Sequence, residues 1–362
     1  MIYLDYQATT PLAPEAREAM LPWLDGPGGA GFANPHSPHR PGRAAAAAVE
    51  AARERVAGLF PPGGRVVFTG GATEALNLAI MGSARAGDGR SVAVSAIEHA
   101  AVLDTARATG APLTVLPVNE EGLVSPAAAL PANVRLVCVM QVNNEIGTVQ
   151  PVDQLAEAAH GAGALFLCDA VQGAGKFAAP DGADLVAISA HKLHGPKGIG
   201  ALWVRDGVEL SPMIHGGGQE QGLRSGTLSP ALCAGFGAAA TLMMQRREDD
   251  AAHIERLWTV VRSVFEDWTL NGSETQRWHG NLNIRREGLD AARLIADVRE
   301  VAFSAGSACA SGSGRPSHVL RALGLPAEEA KGSIRLGFGR YTTEGEIEEA
   351  AAAINAAAFE QC

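Results

Sequence analysis

The feature that most constrains the fold is an alternation in the middle of the chain, where short apolar runs give way to helical patterns. Runs rich in Val, Ile and Leu occur at 65–69, 91–95, 113–117, 134–140, 165–168, 185–189 and 201–204. Helical patterns lie at 43–59, 74–84, 100–109 and 152–162. Strands this uniformly apolar are buried on both faces, and the helices between them supply the cover. The pattern therefore predicts an α/β fold with a mostly parallel seven-stranded sheet flanked by helices. The five alanines at 44–48 read as part of a plain helix, because alanine is the best helix former. A long helix is expected over 243–266, leading out of the sheet. From residue 270 the pattern turns to strands with two helices, at 290–299 and 344–357, which reads as a smaller α+β domain. The expected organisation is a large domain over 15–255, with 1–14 and 256–362 forming the small one.

Length and charge remove several classes. A chain of 362 residues exceeds the roughly 150 of one ordinary core and suits two domains. A net charge of −10 argues against nucleic acid and against an anionic membrane surface. No apolar run approaches the ~18 residues of a membrane span. The opening MIYLDYQATTPLAP has no basic stretch followed by an apolar one, so no signal peptide is expected and the cytoplasm is the expected location. The five cysteines are scattered and form no CxxC pair, so neither a disulfide framework nor an intrinsic metal site is expected. Cys138, Cys168 and Cys233 read as packing residues, and Cys362 is the last residue.

The chemistry gathers where strands end. In LVAISAHKLHGPKGIGALWV, Ser189, His191 and Lys192 directly follow an apolar run. A lysine at a buried strand end can lose its proton through desolvation, and a neutral amine is what an aldehyde cofactor requires. A surface lysine in a loop is the plainer alternative. Asp169 closes the run ALFLCDAVQG, where a carboxylate could pair with a protonated pyridine nitrogen or simply cap a helix. Gln172, three residues on, could donate to a ring oxygen. VVFTGGATEALNLAI reads as strand, Gly-Gly turn and helix, whose first amides and the Thr73 hydroxyl make an anion site. His99 could stack on a flat ring or cap a helix, and Asn144 could reach the ring oxygen or shape a turn. Residues 304–314, SAGSACASGSG, are all small and carry Cys309. Such a segment leaves a thiol exposed and its backbone free, and half of it could span about 15 Å; a buried small-residue turn is the alternative.

Taken together, the sequence resembles the cysteine desulfurases, in the class-V aminotransferase branch of the fold-type I pyridoxal-phosphate enzymes. The motifs that carry the resemblance run in register along nearly the whole chain: LDYQATTP, NPHSPHRPGR, GGATEALN, EHAAV, NNEIGTVQP, CDAVQ, SAHKLHGPKGIGAL, HGGGQEQGLRSGT, SAGSACASG and SIRLGFGRYTTEGEI. The resemblance implies pyridoxal 5′-phosphate as cofactor and Lys192 as its Schiff-base lysine. It implies Asp169 at the pyridine nitrogen, Gln172 and Asn144 at the ring oxygen, and His99 stacked on the ring and active in proton transfer. Ala72, Thr73, Ser189 and His191 would bind or surround the phosphate, and Thr227 would reach a phosphate across a homodimer interface. Arg335 would clamp the substrate carboxylate, with Asn144 beside it, and Cys309 would take sulfur from L-cysteine as a persulfide while alanine leaves. The persulfide would pass to an acceptor such as an iron–sulfur scaffold, where Cys309 could briefly ligate a [2Fe-2S] cluster. Selenocysteine lyase, another class-V reaction or a non-catalytic sulfur-transfer scaffold remain as alternatives. A nucleotide enzyme is disfavoured, because neither Gly70-Gly71 nor 216–218 forms a GxGxxG or Walker motif.

Overall fold

The computed structural model describes residues 1–26, 29, 31–84, 89–305 and 317–361. The first strand, β1 (Ile2–Tyr3), lies apart from the central sheet. That sheet comprises β2 (Gly64–Thr69), β3 (Ser91–Ser95), β4 (Leu113–Leu116), β5 (Val134–Met140), β6 (Leu165–Asp169), β7 (Leu185–Ser189) and β8 (Gly200–Arg205). All seven expected strands are present, with ends shifted by a residue at most. Their spatial order is β2-β8-β7-β6-β5-β3-β4. Only β8 runs antiparallel, to both of its neighbours.

Burial on both faces explains the uniform apolar runs. Successive strand residues point to opposite sides. Val66, Val137, Val139, Val186 and Ile188 join a core with the helices Arg40–Ala57 and Pro230–Gln245. Val67, Leu136, Cys138, Leu185 and Ala187 join another with the helices Ala72–Ser83 and Ala100–Ala108. At the β2–β8 end, Gly200 passes so close to the next loop that a Cβ there would sit 2.7 Å from the Gly71 carbonyl carbon. Only glycine fits that approach.

The remaining strands are β9 (Thr269–Leu270), β10 (Asn281–Arg285), β11 (Val301–Ala302), β12 (Ser304–Ala305) and β13 (Ser333–Gly337). They form a four-stranded sheet ordered β12-β13-β10-β9 and a parallel β1–β11 pair. Helices Arg247–Val264 and Glu344–Phe359 pack with them in a separate core that also takes in Ile2 and Leu4. The long helix expected over 243–266 is in fact two. One helix ends at Gln245, Arg246 leaves helical geometry with φ −103° and ψ 7°, and the next helix starts at Arg247. Helical periodicity continues across this break, so the pattern alone does not show it.

Candidate active site

Most of the site side chains follow the carboxyl ends of five of the six parallel strands, the usual ligand position in an open α/β sheet, and Arg335 comes from β13 of the small sheet. β2 turns through Gly70-Gly71 into the helix that starts with Ala72 and Thr73. β3 leads to His99, β5 to Asn144, and β6 ends in Asp169. β7 ends in Ser189 and passes into a short turn holding His191 and Lys192. These residues, with Gln172 and Arg335, line one cavity of about 980 Å³. Ten of the twelve expected site residues therefore meet. Thr227 is exposed and does not line the cavity of its own chain, and Cys309 lies outside the described residues.

Lys192 projects from its turn toward the N-terminal segment. Its Nζ donates to the carbonyl of Gln7 and, at 2.8 Å, to that of Ala8. Gln172 Nε2 donates to the same Gln7 carbonyl at 3.0 Å. The N-terminal segment is held there in turn: Thr10 N donates to the His191 carbonyl at 2.9 Å, and the Thr10 hydroxyl accepts from His194 N at 2.8 Å. This wall of Gln7, Ala8 and Thr9 belongs to the LDYQATTP motif, to which the sequence assigns no role. Gln7 and Ala8 contribute backbone carbonyls, which have no side-chain signature.

Asp169 forms the buried acidic end. Its Oδ1 accepts from Val171 N at 2.9 Å, but no helix follows, so the capping alternative does not apply. Desolvation raises its pKa, against the amide of Val171 and the positive fields of His99 and Lys192. A cation brought against this carboxylate would offset the cost of its burial. His99 caps its helix, its Nδ1 accepting from Ala101 N at 3.1 Å, and it also lines the cavity. His191, with Nδ1 3.1 Å from the Thr9 hydroxyl, is pushed down to about 4 by burial and by Lys192 and Lys197. It is neutral at physiological pH. For Asn144, the turn role falls to its neighbour, because Asn143 Oδ1 accepts from the amides of Glu145 and Ile146. The Asn144 side chain is left to the cavity.

At the β2 end, Glu74 does not oppose an anion at the helix start. Its carboxylate is bound by Arg224 at 2.6 Å and by Gly70 N at 2.6 Å. Partial burial pushes its pKa up, but the hydrogen bonds from Arg224 and Gly70 hold it below the ordinary value. At the opposite end, Arg335 is fully buried. Its Nη1 donates to the Asn144 carbonyl at 2.9 Å, its Nη2 meets Asp5 at 2.7 Å and Ser304 at 3.2 Å, and its Nε has no partner among the described residues. A substrate carboxylate would share this guanidinium with Asp5.

Glu98, next to His99, has no counterpart in the sequence expectations. It is fully buried, and its Oε1 accepts from Ser95 at 2.5 Å and Met140 N at 2.8 Å. Burial pushes the carboxyl up to about 8, against the Ser95 hydroxyl, and the nearby Asp169 raises it further. The folded state thus keeps a proton that the unfolded chain releases near 4.5. The stability this proton contributes is complete below about 4.5 and is lost as pH rises toward 8. Glu98→Gln mimics the neutral form. In the cofactor-free protein its melting temperature, relative to wild type, should rise steadily from pH 5 to pH 8. A difference independent of pH would mean that Glu98 is ionised in the fold.

The family model described as Aminotransferase class-V matches residues 2–349. The chain belongs to the class-V aminotransferase family. Among curated relatives, "Cysteine desulfurase IscS" of Rickettsia akari (strain Hartford) is 42% identical over 96% of this chain and 89% of its own length. Among solved structures, a "NifS-like protein" superposes with a TM-score of 0.89 at 30% identity, covering 98% of both chains. "SspA in complex with cysteine" superposes with a TM-score of 0.81 at 33% identity, covering 95% of this chain and all of that one. The class-V enzymes use pyridoxal 5′-phosphate, and the site fits such a group. A buried carboxylate, a primary amine and an open helix N-terminus face one cavity, and these suit a pyridine nitrogen, an aldehyde and a phosphate respectively. The three described cysteines lie buried outside this cavity. Burial pushes Cys138 and Cys168 well above their ordinary pKa and Cys233 up to about 12.

Proposed function

We propose that this chain is a pyridoxal-phosphate-dependent cysteine desulfurase that moves sulfur from L-cysteine onto Cys309 and releases L-alanine. The observation that carries the reading is the convergence of Lys192, Asp169, His99 and Arg335 on one cavity, in a chain 42% identical to a cysteine desulfurase. Lys192 would hold the cofactor covalently, Asp169 would pair with its ring nitrogen, and Gln172 and Asn144 would bind its ring oxygen. Ala72, Thr73, Ser189 and His191 would surround its phosphate. When bound, the cofactor supplies an electron sink for the substrate's α-carbon.

The chain's own residues do the rest. Lys192, freed from the cofactor, moves the α-proton, with His99 as a second proton carrier. Arg335 and Asn144 orient the substrate. The Cys309 sulfur bonds to the substrate sulfur as the substrate's carbon–sulfur bond breaks. The electron pair of that bond goes to carbon, which takes up a proton to become alanine, and Cys309 keeps the sulfur as a persulfide. An acceptor protein, such as an iron–sulfur scaffold, then receives it. Thr227, exposed on its own chain, is assigned to the phosphate of a second copy in a homodimer.

The test is a single turnover with L-cysteine. One alanine and one persulfide on Cys309 per active site are expected, and alanine without persulfide would sink the reading. Arg335→Lys keeps the charge but loses the planar fork. A charge-assisted hydrogen bond is worth about 1.5–3 kcal/mol, so the KM for cysteine should rise on the order of 10- to 100-fold. A fall in kcat with unchanged KM would remove Arg335 from the substrate site.

A further inference from the structure

Strand β12 ends at Ala305, the described chain resumes at Ser317, and Cys309 lies in the sequence between them. Ser317 is buried. Its hydroxyl caps the helix His318–Ala322 by accepting from Leu320 N at 3.1 Å, and it donates to Glu145 Oε2. Glu145 is itself buried, and Ser317 is the hydrogen-bond partner of its carboxyl among the described residues. The next residue, His318, donates from Nε2 to the Glu98 carbonyl at 2.9 Å. Behind them, Val319, Leu320 and Leu323 pack with Ile97 and Ile146 in a cluster of their own.

These contacts share one geometry. Ile97 and Glu98 precede His99, and Glu145 and Ile146 follow Asn144. The residues just after the cysteine segment are thus fastened to the two loops that place His99 and Asn144 at the cavity. A buried carboxyl without a partner is costly, so the Ser317–Glu145 bond is a strong local constraint. Sulfur abstraction, in turn, depends on the thiolate meeting the substrate sulfur at bonding distance, and such steps are sensitive to displacements of about 1 Å.

We propose that Ser317 and Glu145 are positioning residues for sulfur transfer: their hydrogen bond registers the end of the Cys309 segment against the loops that carry His99 and Asn144. The proposal rests on the desulfurase reading. Two variants break the bond from opposite sides. Ser317→Gly removes the hydroxyl but costs a helix cap little. Glu145→Leu leaves the cap intact and removes a buried ionisable group. Glu145→Gln keeps an accepting oxygen.

In rapid-quench experiments on the holoenzyme with L-cysteine, Ser317→Gly and Glu145→Leu should slow persulfide formation on Cys309 on the order of 10- to 100-fold. Cofactor content and the concentration of cysteine that half-saturates the change in cofactor absorbance should stay within about twofold of wild type, a range worth under about 0.5 kcal/mol. Glu145→Gln should recover most of the rate. The double variant Ser317→Gly/Glu145→Leu should be no slower than the slower single one, because both remove the same interaction. A wild-type rate in either single variant would overturn the proposal, as would losses that multiply in the double variant. A weaker hold on cysteine that accounts for the loss would overturn it too, because Glu145 would then be acting through Arg335, whose field it feels. A wild-type enzyme that forms no persulfide on Cys309 would refute the desulfurase reading instead, so the two failures are distinct.

Discussion

Replacing Lys192 with alanine should lower the turnover of L-cysteine by about 10⁴-fold or more and abolish covalent retention of the cofactor. Two roles fall on the same amine, attachment and proton movement, and a positioned acid–base group alone contributes about 10²- to 10⁴-fold. The structure gives no second amine the same position. Lys176 lies nearby, but its Nζ is bound to the Gln172 carbonyl at 2.9 Å and faces Trp278. Its ammonium is pushed down to about 7 by burial and by Lys192 itself. The fold should survive the change. The N-terminal wall is held by Thr10, His191 and His194 as well as by Lys192, so it keeps other ties when the Gln7 and Ala8 carbonyls lose this donor. Borohydride reduction followed by peptide mapping checks the assignment, with the wild-type adduct expected on residue 192 and none in the variant. An adduct on Lys176 or Lys197 in the wild type would displace Lys192 from its role. A small primary amine added to the variant should restore part of the activity, because the cavity keeps the volume that the side chain vacated.

What could be read in the sequence follows the physics of each part. The seven strands were legible because burial on both faces demands apolar residues throughout, and the residues that end them were legible because ligand chemistry gathers at strand ends. The reversal of β8 left a fainter trace. Its composition matches that of its parallel neighbours, but only residues 190–199 join it to β7, with no covering helix between. A parallel crossover would have needed one. Asp169, Lys192 and His99 are individually ambiguous, and the structure removes only the capping alternative for Asp169, by showing no helix for it to cap. Glu98, Glu145 and Asp5 were passed over for a shared reason. A charged letter in a sequence suggests a solvated surface, and nothing in its neighbours announces that Glu98 and Glu145 are buried or that Asp5 holds the Arg335 guanidinium. The partners that make their positions tolerable are distant in sequence: Arg335 lies 330 residues from Asp5, and Ser317 lies 172 from Glu145.

Cys309→Ser should abolish persulfide formation from L-cysteine and leave the site described above intact. The hydroxyl of serine has almost no ionised form at neutral pH and is a far poorer nucleophile toward sulfur than a thiolate, so the loss should reach the detection limit of the assay. Described contacts hold the cavity-lining residues in place. Lys192 is held by Gln7 and Ala8, Asp169 by Val171, and Arg335 by Asp5 and Asn144. Cofactor binding and its visible absorption band should therefore persist, as should the change in that band when cysteine is added. This separation gives the variant its power to discriminate. If sulfide production from cysteine survives in Cys309→Ser, sulfur leaves without this thiol and Cys309 has no part in the chemistry. If selenide release from selenocysteine survives while sulfur transfer is lost, the cavity alone handles the weaker carbon–selenium bond, and selenocysteine lyase becomes a second activity of the same residues. If the band itself disappears, Cys309 contributes to holding the cofactor, and the division of labour between the cavity and the cysteine segment is wrong.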